Sequence, residues 1–153
     1  LHHQKINNID MIWKYPTTVE SLNAFGKVNM MKHLDIDVTE IGDDYIVARM
    51  PVDHRTQQPM GILHGGASVV LAETLGSVAA CVTLDLKEEY CVGLEINANH
   101  LRSVKSGYVY GTASPIHLGK TTQVWEIKIR NEEGKMVCVS RITMAVLKVK
   151  KEQ

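Results

Sequence analysis

The amino-acid sequence predicts an α+β fold in which an antiparallel β-sheet wraps around one long central helix. Three observations predict it. From Gly65 to Thr83 the hydropathy has no period of two; Ser68, Ala72, Gly76 and Ala80 fall at i+4 spacing, with Val69, Val70, Leu71, Leu75 and Val78 around them. After that run, segments of alternating apolar and polar residues follow one another in hairpin order. Before it lie two shorter alternating segments. A helix that is apolar nearly all round must be covered, and the strands are the elements available to cover it.

In chain order, Thr18 to Phe25 reads as a short helix, with Thr17 and Glu20 at capping-box spacing and Gly26 to close it. Leu34, Ile36 and Val38 alternate with Asp35, Asp37 and Thr39, the pattern of a half-buried strand. Gly42-Asp43-Asp44 is a turn, and Tyr45 to Met50 continues as a second strand. Pro51 to Pro59 is a polar loop that leads to the long helix, and Asp85 to Glu89 is that helix's charged exit. The stripe of small residues lets another backbone approach closely, whether that of a partner or of the chain's own sheet. Val92, Leu94, Ile96 and Ala98 then alternate with Gly93, Glu95, Asn97 and Asn99, and Trp125, Ile127 and Ile129 alternate with Glu126, Lys128 and Arg130. Tyr108 to Ser114 and Met136 to Val149 are further strands rich in β-branched residues, with a hairpin turn at Asn131-Glu132-Glu133-Gly134. Residues 1–10 read as a leader or tag-like segment, 11–149 as one domain and 150–153 as a charged tail.

The length, 153 residues, suits one domain with a real core. Lys plus Arg (17) balances Asp plus Glu (17), which argues against non-specific nucleic-acid or membrane-surface binding. A Glu in mid-span makes the apolar stretch costly in lipid, so it reads as a buried soluble helix. Leu1 to Lys14 has no apolar run of a secretory signal. Cys81, Cys91 and Cys138 have the spacing of neither a zinc site nor a redox pair, and read as small buried hydrophobes in a reducing cytosol. A cytoplasmic protein is expected. No His pair has metal-helix spacing, so no metal is expected.

Chemistry concentrates in Gln58-Pro59-Met60-Gly61-Ile62-Leu63-His64-Gly65-Gly66 and the helix that follows. Glycines at a helix start leave the first N–H groups open, and the dipole adds positive potential there, which would polarise a carbonyl oxygen as it gains charge. Glu73 lies among Leu71, Ala72, Leu75 and Gly76. A carboxylate in such company is expensive unless satisfied, and this is the setting in which general bases are found. Ser77 is one turn further on the same face. Gly65 to Glu73 is eight residues, roughly 12 Å of helix rise. One reacting carbon cannot touch both ends, so a site using both needs two chains, with the helices antiparallel across a two-fold axis.

The pattern Gln58-Pro-x-Gly-x-x-His64-Gly-Gly, with Glu73 nine residues after His64, resembles the hotdog-fold acyl-CoA thioesterases, in the branch that cleaves aryl-CoA thioesters such as that of menaquinone synthesis and its enterobactin proofreading sibling. The resemblance runs from Met11-Ile12-Trp13-Lys14 to about Leu147 and includes Met50-Pro51-Val52-Asp53, Gly93 to His100 and Pro115 to Gly119. It implies that Glu73 is the nucleophile or general base, that the Gly65 N–H and the Gln58 amide polarise the thioester carbonyl, that His64 orients thioester or water, and that Ser77 is a polar contact near the acyl group. It implies no cofactor beyond the CoA of the substrate, and self-association as a dimer or dimer of dimers. Met60 sits where relatives often carry Phe and would reshape the acyl pocket. Gly93 to His100 leans toward the naphthoyl-CoA type. The phosphorylated CoA arm needs cations or open N–H groups, for which Arg102, Ser103, His117, Gly119 and Lys120 are candidates, with His100 beside them. The competing readings are a proofreading thioesterase acting on acyl carrier protein, a hydratase, whose different His and acidic pattern is not seen here, and a non-catalytic acyl-CoA sensor on the same fold.

Overall fold

The structure, a computed structural model, describes residues 11–26 and 28–151. The leader-like segment 1–10 and the last two residues of the charged tail lie outside the described residues. Short helices α1 (Val19–Asn23) and α2 (Met30–His33) precede strands β1 (Asp37–Ile41) and β2 (Ile46–Pro51). The long helix α3 (Gly65–Val82) follows, then β3 (Glu89–His100), β4 (Tyr108–Leu118), β5 (Thr122–Asn131) and β6 (Met136–Lys148). One six-stranded sheet forms in the order β1-β2-β4-β5-β6-β3, every pair antiparallel, and it curls around α3.

The core lies between α3 and the concave face of the sheet. Trp125, Ile127 and Ile129 on β5 are fully buried there, as the alternation predicts, with Leu71, Ala72, Leu75, Ala79 and Ala80 of α3. The small-residue stripe packs on the chain's own sheet: a Cβ on Gly76 would stand 2.4 Å from Ile142 Cγ2 of β6, so only glycine lets helix and sheet meet this closely. α3 is the one described helix long and apolar enough to cross a membrane, and it packs one side, with Leu71, Ala72, Leu75 and Ala79, into the curl of the sheet. At the sheet's end Trp13 stacks on Trp125, with centroids 6.3 Å apart, and donates its indole N–H to Gly42 O at 2.8 Å.

Several sequence expectations are corrected. The cap of α1 is Thr18, paired with Ser21 rather than Thr17 with Glu20; the Thr17 hydroxyl turns back to Tyr15 O. β1 begins at Asp37, because Leu34 caps α2 and Asp35 adopts a left-handed φ of 57°. The largest correction is on β3. Its register shifts between Gly93 and Glu95, a β-bulge that leaves Leu94 without an opposed residue. The bulge inverts the alternation: Cys91 and Gly93 share the helix-facing side with Ile96 and Ala98, whereas Val92 and Leu94 point outward. β3 ends the sheet, with β6 on one side and an open edge on the other.

Candidate active site

The loop that enters α3 is a compact turn. The hydroxyl of Thr56, 1 % exposed, donates to Pro51 O at 2.7 Å and accepts from Asp53 N–H. Thr56 O accepts from His64 N–H at 2.8 Å, and Val104 O accepts from Leu63 N–H at 2.7 Å. Arg55 closes the turn with two guanidinium bonds to the Asp53 carboxylate, at 3.1 and 2.7 Å. Those bonds, joined by one from the Arg55 backbone N–H, hold the Asp53 carboxyl at about 2, below its ordinary value, against a smaller opposing effect of burial. A depressed carboxylate stabilises the fold above the unfolded-state value, ~3.9, and loses that contribution as pH falls through the folded one. D53N is therefore expected to lower the urea midpoint at neutral pH, and the gap to wild type should close as the pH falls from about 4 to about 2.

This turn delivers Gln58 to the start of α3. Its side-chain Oε1 accepts from Met60 N–H, which fixes the amide orientation and leaves Nε2 free to donate. His64 is the N-cap: its Nδ1 accepts from Gly66 N–H at 2.8 Å, so the neutral ring carries its proton on Nε2. Ala67 and Ser68 N–H both bond to His64 O. Of the first four N–H groups, that of Gly65 has no partner among the described residues. The His100 ring of β3 lies over Gly65, with Nε2 2.9 Å from where a Cβ would stand.

These groups border a cleft of about 460 Å³ lined by Gln58, Ile62, Leu63, Gly65, Ser68, His100, Leu101, Arg102, Ser103 and Val137. It joins one cation and an open helix N-terminus and contains no carboxylate, an arrangement suited to an oxygen that gains negative charge. Ser68, counted in the sequence as part of the small stripe, also faces this cleft; its place one turn after His64 is the signal that could have found it. Ile62 comes with the loop that enters α3, whereas Leu101 and Val137 join through strand ends that spacing does not bring together.

Glu73 stands apart. It lies in mid-helix and half-buried, with no hydrogen bond or ion pair to any described residue. Its Oε1 is 2.9 Å from where a Gly93 Cβ would be, so the glycine in the bulge makes room for the carboxylate. Ser77, one turn on, borders an apolar depression of about 170 Å³ with Phe25, Val78, Cys81, Val82 and Leu86. Met60 is 83 % exposed and does not line the cleft. His117, Gly119 and Lys120 lie at the opposite end of the sheet: β4 turns into β5 near the C-terminal end of α3, where Gln123 donates to the Thr83 hydroxyl at 2.8 Å. One chain thus gathers Gln58, His64, Gly65, His100, Arg102 and Ser103, and leaves Glu73, Ser77 and the 117–120 turn elsewhere.

Comparison with known proteins places this geometry among relatives. Residues 60–138 match the model of the Thioesterase superfamily. The chain is 56 % identical to the 1,4-dihydroxy-2-naphthoyl-CoA hydrolase of Escherichia coli, over 90 % of this chain and 100 % of that protein. It is 50 % identical to the proofreading thioesterase EntH of Cronobacter turicensis, over 90 % of this chain and 99 % of that one. A solved thioesterase from Haemophilus influenzae superposes with a TM-score of 0.89 at 50 % identity, covering 94 % of this chain and 99 % of that chain.

Proposed function

The chain belongs to the thioesterase superfamily, and on that premise we propose that it hydrolyses aromatic acyl-CoA thioesters in a site completed by two copies of the chain. The observation that carries this reading is the separation of the donors from the carboxylate. The cleft offers the Gly65 N–H, Gln58 Nε2 and the positive end of α3, but no acid. Glu73 sits eight residues along the helix, roughly 12 Å away.

A second copy resolves the mismatch through β3. Its open edge is long and carries Val92 and Leu94, 42 % and 61 % exposed, and such edges are ordinarily covered. Glu73 lies over Gly93 and Gly65 lies under His100. A two-fold axis crossing β3 between Ile96 and Asn97 sets Gly93 of one copy opposite His100 of the other. Each Glu73 then faces the other copy's cleft. The same axis returns the turn with His117, Gly119 and Lys120 to the side of the second copy's Arg102 and Ser103, where the phosphorylated arm of CoA would run. The acyl group rests in the apolar depression beside Ser77, next to the carboxylate.

In this site the thioester carbonyl oxygen accepts from the Gly65 N–H and Gln58 Nε2. Glu73 takes a proton from water as the water oxygen bonds to the carbonyl carbon, or bonds to that carbon itself in an anhydride that water then cleaves; the carbon–sulfur bond breaks, and the CoA thiolate takes up the proton that the water gave, leaving free acid and thiol. His64 Nε2–H, free because Nδ1 caps the helix, orients the thioester or the water. The unpaired cysteines fit a cytoplasmic enzyme.

A thiol-release assay on benzoyl, hydroxybenzoyl, dihydroxynaphthoyl, hexanoyl and palmitoyl CoA tests the substrate class. Aryl preference is expected, with dihydroxynaphthoyl-CoA, the substrate named for the Escherichia coli relative, among the fastest. Release only from acyl carrier protein would instead favour the proofreading role of the Cronobacter relative. Gly93→Ala tests the placement of the carboxylate. The new methyl must displace the Glu73 carboxylate, the movable end of a side chain, so the fold should survive. Turnover should fall roughly tenfold to a hundredfold, the scale set by displacing a reacting group by about 1 Å. An unchanged turnover would mean that Glu73 does not act from this position.

A further inference from the structure

The sequence reading treats the three cysteines as separate buried hydrophobes. The fold separates them differently. Cys138 is fully buried on β6, and burial pushes its thiol up. Cys81 on α3 and Cys91 on β3 are each half-buried. Glu73, Ser77 and Cys81 form one i+4 stripe along α3, and the stripe meets β3 where Glu73 covers Gly93. The bulge puts Cys91 on the same side of the strand as Gly93, two residues earlier. Without that inversion Cys91 would point away from the helix. Helix and strand therefore bring the two cysteines to face each other, and each thiol is the largest influence on the other's proton.

From this juxtaposition we infer that Cys81 and Cys91 form an oxidation site that closes into a disulfide between α3 and β3 when the protein meets a low-molecular-weight disulfide. Cys81 is the entry point, because it borders both apolar depressions on this side of the molecule, of about 180 and 170 Å³. The neighbouring Cys91 thiol lowers the Cys81 thiol, against the raising effect of burial, which favours the thiolate that begins an exchange. The Cys81 thiol in turn, and then burial, raise Cys91.

The electrons balance in two exchanges. The Cys81 thiolate attacks one sulfur of the reagent disulfide, forming a mixed disulfide and releasing one thiolate. The Cys91 sulfur, losing its proton to solvent, then attacks Sγ of Cys81 and releases the second. Two protein thiols are oxidised and one reagent disulfide is reduced to two thiols. The closed form ties the last turns of the helix that carries Glu73 to the strand behind it. A reducing thiol pool reverses the reaction, so the pair reports the redox poise around the enzyme.

The experiment treats the wild-type protein with excess glutathione disulfide and follows intact mass and denatured thiol count. The expected product is two hydrogens lighter than the reduced chain, retains one titratable thiol, and yields a peptide pair linking Cys81 to Cys91. Dithiothreitol should restore all three thiols. C91S should stop at a stable glutathione adduct on Cys81. Three thiols remaining after treatment would overturn the inference, as would a wild-type product carrying only a glutathione adduct or a disulfide between chains.

Discussion

Glu73→Gln should leave the protein folded and able to bind thioester, and should lower turnover by roughly 10²–10⁴, the range for loss of a positioned general base. The side chains have the same shape. The carboxylate has no hydrogen bond or ion pair with a described residue, and the bulge leaves space beside it, so the change removes chemistry and little else. Stability should stay within about 0.5 kcal/mol of wild type, as for a surface substitution without a structural partner. The loss should fall on kcat with KM little changed, because the charge matters when the oxygen nucleophile forms and not when substrate docks. Near-normal turnover in this variant would remove Glu73 from the mechanism while leaving the fold intact.

Gln58→Ala should cost roughly 10²–10³ in turnover, the scale found on removing one oxyanion donor. Two functions of the amide are separable. Its Oε1 holds Met60 N–H and thereby the turn, and its Nε2 is left to donate beside the cleft that Gln58 lines. Gln58→Glu keeps an acceptor for Met60 and deletes the donor, so it should be as slow as Gln58→Ala while the turn stays ordered. If Gln58→Glu kept wild-type turnover, the amide would be a loop fastener and the oxyanion would rely on the Gly65 N–H alone.

Much of the fold was legible because its signals are periodic. The i+4 stripe of small residues in a mostly apolar run gave α3, and the alternation of Trp125, Ile127 and Ile129 gave a buried face of β5. What failed was what period cannot encode. A bulge adds one residue, and the side on which Cys91 and Leu94 fall depends on the pairing of β3 with β6, not on their own hydropathy. α2 is four residues long and has no amphipathic pattern to read. At the site, His64 and Gly65 were legible because they open a helix, where orphan N–H groups follow from geometry, whereas Gln58 entered only through the resemblance. His100, Arg102 and Ser103 reach the same cleft because β3 ends over Gly65, whereas His117, Gly119 and Lys120, equally basic or open in sequence, sit at the other end of the sheet. The distance from Gly65 to Glu73 needed only the rise of a helix. The surface that would bridge it needed the sheet order, which leaves β3 at an edge.

The shared site is tested most directly by complementation between two inactive variants. Glu73→Gln and Gln58→Ala chains are unfolded together, refolded and assayed for thiol release from an aryl-CoA. In a random mixture half the dimers are mixed, and each mixed dimer has one site with an intact Glu73 from one chain and an intact Gln58 from the other. The expected activity is about one quarter of wild type, far above either variant alone. Activity no greater than the average of the two variants would place Glu73 and Gln58 of the same chain in one site and contradict the account.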